Sequence, residues 1–404
     1  MSTKTKILIF VGLITIAMVV QHFLPDRHNH IIRMEPTGHG VSYNFDASPS
    51  FHSNNSRFYY FVTRDGIQYR PSDGDVRWNH SFSFNQPHMV ARGDIVAVGE
   101  RSGGRRVYVF NSTDELLFRA EFEYPVMMFS VNAAGFLSVV LEMPFGYRIY
   151  VHNQLSIRAG EYFYRQNIVD DLHFPVAVEV SEDGRYIAVA IVDLSVRVDT
   201  TVQLRYTSLW DAVAWGAAEG LFASEIFTDQ IVHSLRFMAD DRLVVATDSQ
   251  ILGYRIIERD YNVTAKEWAW TVNLQNELSE MAFYGNRHLV YVTGNRHLGA
   301  INGYPVGTVH IVNTTDGTRA GEFSTGRHAT HLSVGNGAVL VGSDRNFHAI
   351  DLRGNHLWEH NSLHYTRSMI FLDDTDTVLI AGANRAEVNR RQRVRVTDFE
   401  GIFD

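Results

Sequence analysis

Short apolar runs alternate with clusters of Asp, Asn and Gly along nearly the whole chain from about Val41 onward. The runs are β-branched and aromatic, or alternate with a period of two, and both patterns predict strands. The clusters between them tolerate the positive φ that tight hairpin turns demand. Read in register, the runs form one unit of roughly 40–50 residues. Two apolar strands are joined by a polar turn; a third strand, a second polar turn and a fourth strand with an aromatic follow. The clearest copy is Ala329–Val334, the turn Gly335-Asn336-Gly337, Ala338–Gly342, Asn346–Asp351, the turn Arg353-Gly354-Asn355, and His356–Glu359 with Trp358.

Other copies give Phe58–Thr63, Gly66–Arg70 and Asp75–Phe82 with Trp78; Ile95–Gly99, Arg106–Phe110 and Leu116–Glu123 with Phe118; and Met127–Val131, Phe136–Leu141, Tyr147–His152 and Arg158–Tyr164 with Tyr162. A fourth opens with Val176–Val180 and Tyr186–Ile191. A fifth holds Ser234–Met238, Arg242–Thr247, Ile251–Ile257 and Glu267–Leu274 with Trp270. A sixth holds Glu280–Phe283, His288–Thr293, Gly307–Val312 and Arg319–Phe323. After the clearest copy come Met369–Leu372, Val378–Gly382 and weaker strands near Ala386–Asn389 and Arg393–Phe399. Four strands in a repeat of this length predict an all-β fold, a β-propeller of eight four-stranded blades, with seven as the alternative. A ring must close, and Val41–Phe45 is the expected closing strand of the last blade. The one stretch with a helical leaning, Ser208–Gly220, reads as a long loop or a short helix.

Ahead of the repeats, Met1–Lys6 is short and basic, and Ile7–Leu24 is apolar. At about 1.5 Å per residue this run spans roughly 27 Å, enough for a bilayer core. Its exit through Val19-Val20-Gln21-His22-Phe23-Leu24-Pro25 lacks the small residues of a signal-peptidase site, which favours an uncleaved transmembrane anchor over a removed signal peptide. Lys4 and Lys6 place residues 1–6 in the cytoplasm. Residues 25–40 then read as a juxtamembrane linker, and residues 41–404 as an extracytoplasmic propeller at the cell membrane.

Composition narrows the chemistry. The chain has no cysteine, which excludes disulfides, thiolate metal sites, cysteine nucleophiles and covalent haem attachment. A net charge of -9 argues against a nucleic-acid partner, which would call for a concentrated basic face.

The turn-and-aromatic-strand segments SDGDVRW and LRGNHLW, and more loosely AKEWAW, resemble the repeats of quinoprotein-type propellers, in which a tryptophan packs between blades. The layout as a whole resembles an uncharacterised Firmicutes family of single-pass, membrane-anchored β-propellers. The stretches that carry this are Phe58–Gly66, Gly93–Glu100, Val131–Val140, Phe174–Ala188, Val341–Glu359 and Ile370–Gly382. That resemblance implies a fold and a topology but supplies no catalytic residues. Quinone-dependent enzymes clamp their cofactor with vicinal cysteines and use an Asp beside Ca²⁺. This chain has no cysteine, so no catalytic residue, cofactor or metal is assigned.

Several smaller features compete with plain structural roles. Asp373-Asp374-Thr375-Asp376 spaces oxygen donors like a calcium loop, but it lacks the following Gly and distant Glu and falls where a hairpin turn is due. His356, His360 and His364 are spaced by four. On a regular strand such spacing sets side chains about 13 Å apart, too far to share one zinc, so they read as surface histidines, as do His28 and His30. Arg390, Arg391, Arg393 and Arg395 form a basic run, either a patch for anionic polymer or lipid or a charged edge strand. The apolar loop with Trp210 and Trp215 is the expected partner-binding loop, or else folds back on its own blade. Function is therefore expected to be a non-catalytic scaffold gripping an envelope protein or a cell-wall component. The alternative is a binder or sensor of a small ligand or carbohydrate, and an envelope enzyme of quinoprotein type ranks behind both.

Overall fold

The computed structural model describes residues 30–44, 49–53, 57–101, 103–113, 115–168, 172–208, 220–239, 241–259, 262–295, 306–362 and 364–395. Eight antiparallel sheets of four strands succeed one another as blades of a ring. Blades 1 to 7 are built from consecutive strands over residues 50–81, 87–121, 126–168, 173–227, 232–273, 277–324 and 331–361. Blade 8 takes three strands from residues 368–395 and its fourth from the other end of the chain, His30–Ser42. The expectation of eight blades holds.

Closure extends further than Val41–Phe45. The N-terminal strand starts at His30, inside the stretch read as a linker, and pairs with Arg385–Arg395 from His30↔Arg395 to Ser42↔Arg385. Its register slips between Pro36 and Gly40. It is the outermost strand of its blade, where a proline and half-exposed side chains are tolerated. The two weak strands expected near the C-terminus are one continuous strand, Arg385–Arg395. This strand lies third in its sheet, so the reading of the arginine run as an edge strand is corrected: ring closure covers it with His30–Ser42.

Strand runs with strong apolar character sit where expected, and the innermost strands Ser50–His52 and Pro87–Arg92 complete blades 1 and 2. Blade 3 departs from expectation at its fourth strand, which is Tyr164–Ile168 and follows a short helix, Gln154–Ala159. Asn153 caps this helix through its side chain onto the Ser156 N–H, and Gly160 closes it in the left-handed region at φ 71°.

Apolar side chains of neighbouring blades merge into shared cores. Val140 and Ile149 of blade 3 pack with Val178, Ile187 and Val189 of blade 4; Tyr59 and Phe61 of blade 1 pack with Leu372, Leu379 and Val388 of blade 8. The outer-strand tryptophans rivet these seams. Trp270 Nε1 donates to the Thr314 carbonyl of blade 6 at 2.9 Å, and Trp358 Nε1 donates to the Thr375 carbonyl of blade 8 at 2.9 Å. Trp78 stacks on Phe110 of blade 2 with centroids 5.9 Å apart. Trp270 fits because Gly253, its cross-strand partner, offers no side chain: a Cβ there would lie 2.3 Å from the indole ring. Gly253→Ala is expected to lower stability by about 1–3 kcal/mol through overpacking, read as a fall in denaturation midpoint at unchanged slope.

Candidate functional site

The innermost strands of all eight blades surround a central channel of about 950 Å³. Its polar groups tie blades together. Arg92 of blade 2 forms a buried ion pair with Glu179 of blade 4, and Ser130 of blade 3 donates to the same carboxylate at 2.6 Å. Burial pushes the Glu179 carboxyl up, against the pull of Arg92 and Ser130. His52 Nε2 lies 3.2 Å from the Gly93 carbonyl of blade 2, and His331 Nε2 lies 2.7 Å from the Met369 carbonyl of blade 8. Burial holds both imidazoles below the usual histidine range. The Arg236 guanidinium of blade 5 rests 4.6 Å from the centre of the Phe283 ring of blade 6. Asn132 and Asn336 donate to the Ser181 and Leu372 carbonyls of the following blades, both at 2.7 Å. Such an arrangement ties blades together around an open axial space.

The face formed by the turns between second and third strands, together with the connections between blades, differs in character. On blades 3 and 4 it presents Phe145, Leu172, Leu194, Val196 and Val198 to solvent, with Val196 93% and Phe145 75% exposed. Local hydrogen bonding holds these loops together. The Leu194 N–H donates to the Leu172 carbonyl at 3.1 Å, the Ser195 N–H to Asp193 Oδ1 at 2.8 Å, and Arg197 Nε pairs with Asp199 at 2.8 Å. Tyr147 and Phe174, with ring centroids 5.7 Å apart, bring the Phe145 turn of blade 3 beside the Leu172 entry to blade 4. The result is an ordered apolar rim bordered by charged side chains. The loop with Trp210 and Trp215 falls outside the described residues.

The residues singled out from sequence are distributed as follows. Trp210 and Trp215 lie outside the described residues, as does the apolar run Ile7–Leu24; among the described residues no helix is long and apolar enough to cross a membrane. Arg390, Arg391, Arg393 and Arg395 lie on one strand, but the first two are met by carboxylates, Arg390 by Asp374 at 3.9 Å and Arg391 by Asp376 at 2.8 Å. The 373–376 segment is the turn between Ser368–Phe371 and Thr377–Ala381, fixed by the Asp376 N–H donating to Asp374 Oδ1 at 2.8 Å. His356 does not join His360 and His364. It converges instead with His348 and Glu359, their donor atoms all within 4.8 Å of one another. Even spacing keeps side chains on one face only of a regular strand, and a bulge between Trp358 and His356 interrupts this one.

Solved structures share the ring. BamB from Moraxella catarrhalis matches with a TM-score of 0.50 at 11% identity, covering 89% of this chain and 98% of its own. The C-terminal WD40 domain of Sif2 matches with a TM-score of 0.53 at 10% identity, covering 88% and 98%. At these identities the likeness is one of fold. No curated protein matches the sequence. The model of the DUF5711 family of unknown function matches residues 54–389, the greater part of the repeat region, and the chain belongs to that family.

Proposed function

We propose that this protein is a non-catalytic interaction scaffold, tethered at the extracytoplasmic face of a bacterial cell membrane by Ile7–Leu24, that grips a protein partner of the cell envelope. The observation that carries the reading is the apolar rim of blades 3 and 4. A closed ring is rigid, and ordered loops on its face present apolar side chains at little entropic cost on binding. Blade 4 lies four places round the ring from blade 8, which takes up the N-terminal strand, so the rim would point away from the tether.

Crosslinking in intact cells tests this. Val196→Asp combined with Phe145→Ser is expected to cut recovery of the crosslinked partner about tenfold or more, because each removes an apolar contact from a patch that binding would desolvate. Both positions are exposed, so the melting temperature should stay put. Undiminished recovery of the same partner by the double variant would overturn the assignment.

A second reading, a small polar ligand or carbohydrate held in the channel, draws on the channel's volume of about 950 Å³, near the upper end of ligand pockets. A true ligand at a hundred times its Kd would add about 2.7 kcal/mol of stability. A screen of sugars and small polar metabolites that yields no thermal shift would count against it.

A further inference from the structure

We propose that His348, His356 and Glu359 form a binding site for a first-row divalent transition-metal ion on the face of blade 7 turned toward blade 6. The local backbone brings them together. In the last hairpin of blade 7, His348 pairs directly with Glu359 and Ala349 with Trp358, but the next pair is Ile350 with His356. Leu357 is thus left over as a bulge. One extra residue inverts the alternation of side chains beyond it, so His356 emerges on the face of His348 and Glu359 rather than on that of Trp358 and His360. Phe323 of blade 6 backs the pair of imidazoles, stacked at 5.9 Å on His356 and tilted at 5.3 Å against His348. The two imidazoles meet edge to face at 5.7 Å.

The donors are available to an ion. Neither ring nitrogen of His348 makes a hydrogen bond of good geometry, although both are shut off from solvent and the Thr325 backbone lies near. The Glu359 carboxylate is oriented by Asn346 Nδ2 at 2.7 Å and Asn361 Nδ2 at 2.9 Å, both donating to Oε1. Amides on one carboxylate oxygen are the outer support that ligating carboxylates usually carry. Ligands about 2.0 Å from a tetrahedral ion lie roughly 3.3 Å apart, so the donors need only a small side-chain rotation to close. His356 and Glu359 are exposed to solvent.

Two imidazoles and one carboxylate favour zinc and its neighbours over calcium or magnesium, which demand oxygen donors. Three protein ligands leave the remaining positions to water, or to a donor group brought by another molecule.

Titration calorimetry of the chelator-treated full-length chain with Zn²⁺ alone tests the site, with Co²⁺ absorption reporting coordination geometry. One equivalent is expected to bind, and His356→Asn and Glu359→Gln should each weaken it about tenfold or more. His360→Asn and His364→Asn, on the other face and in the following loop, should leave it unchanged. Circular dichroism of all four variants separates lost ligation from lost folding. The proposal fails if the native chain binds no Zn²⁺ at millimolar concentration. It also fails if the first pair bind like the native chain, or if the second pair lose binding equally.

Discussion

Glu179→Ala is expected to cost about 3–5 kcal/mol of folding stability, among the largest effects available to a single side chain in this ring. Glu179 is 4% exposed and Arg92 8%, and the pair bridges blades 2 and 4 past Ser130. Removing the carboxylate strands a nearly buried guanidinium at the channel wall, and the cost of an unpaired buried charge exceeds the worth of the intact pair. The paired substitution Arg92→Met with Glu179→Leu should therefore recover most of the loss, since no charge is left behind. Urea denaturation of the three variants decides the matter. An alanine variant within about 1 kcal/mol of the native chain would mean that the pair is solvated.

The second large effect is expected from deleting residues 30–42 while keeping everything before them. The deletion removes the outer strand of blade 8 and bares the full length of Arg385–Arg395. It also removes Met34 and Val41 from the cores they share with blades 7 and 1, the Thr37 hydroxyl from the Val388 carbonyl at 3.0 Å, and the continuity that holds Tyr43 on the Gly382 carbonyl at 2.9 Å. Each partly buried apolar side chain is worth roughly 1–2 kcal/mol, so the sum is several kcal/mol before the lost strand pairing is counted. The freed strand would then seek another partner, and self-association should accompany the fall in stability. Light scattering and denaturation together check this. A variant that melts at the native midpoint, with unchanged mass, would show that the ring does not depend on its closing strand.

The ring was legible in the sequence because most middle strands are apolar enough to announce themselves: Tyr186–Asp193 is buried almost throughout, and so is Ile95–Glu100. The turns were equally plain, as at Asn336-Gly337, where both residues adopt positive φ. Strands at the inner and outer margins were harder. Ser50–His52 has three half-buried residues, and His30–Ser42 carries Pro36 with exposed side chains around it, so neither shows a period. The exposed apolar rim was less legible still. Val196 and Val198 look like any apolar loop residues until the loop is seen to leave them in water. The grouping of His348 with His356 and Glu359 depends on one bulge that no residue type at Leu357 announces.

Thr37 and Val388, joined by a hydrogen bond, stand 351 residues apart in the chain. Synthesis at about 5–20 residues per second puts roughly 20–70 seconds between the appearance of the first strand and that of its partner. Throughout that interval the leading strand has nowhere native to go, and seven blades wait for a clasp. Any arrest of translation short of the C-terminus would leave an open arc with a loose β-segment at one end, a species that quality control would have to recognise and remove.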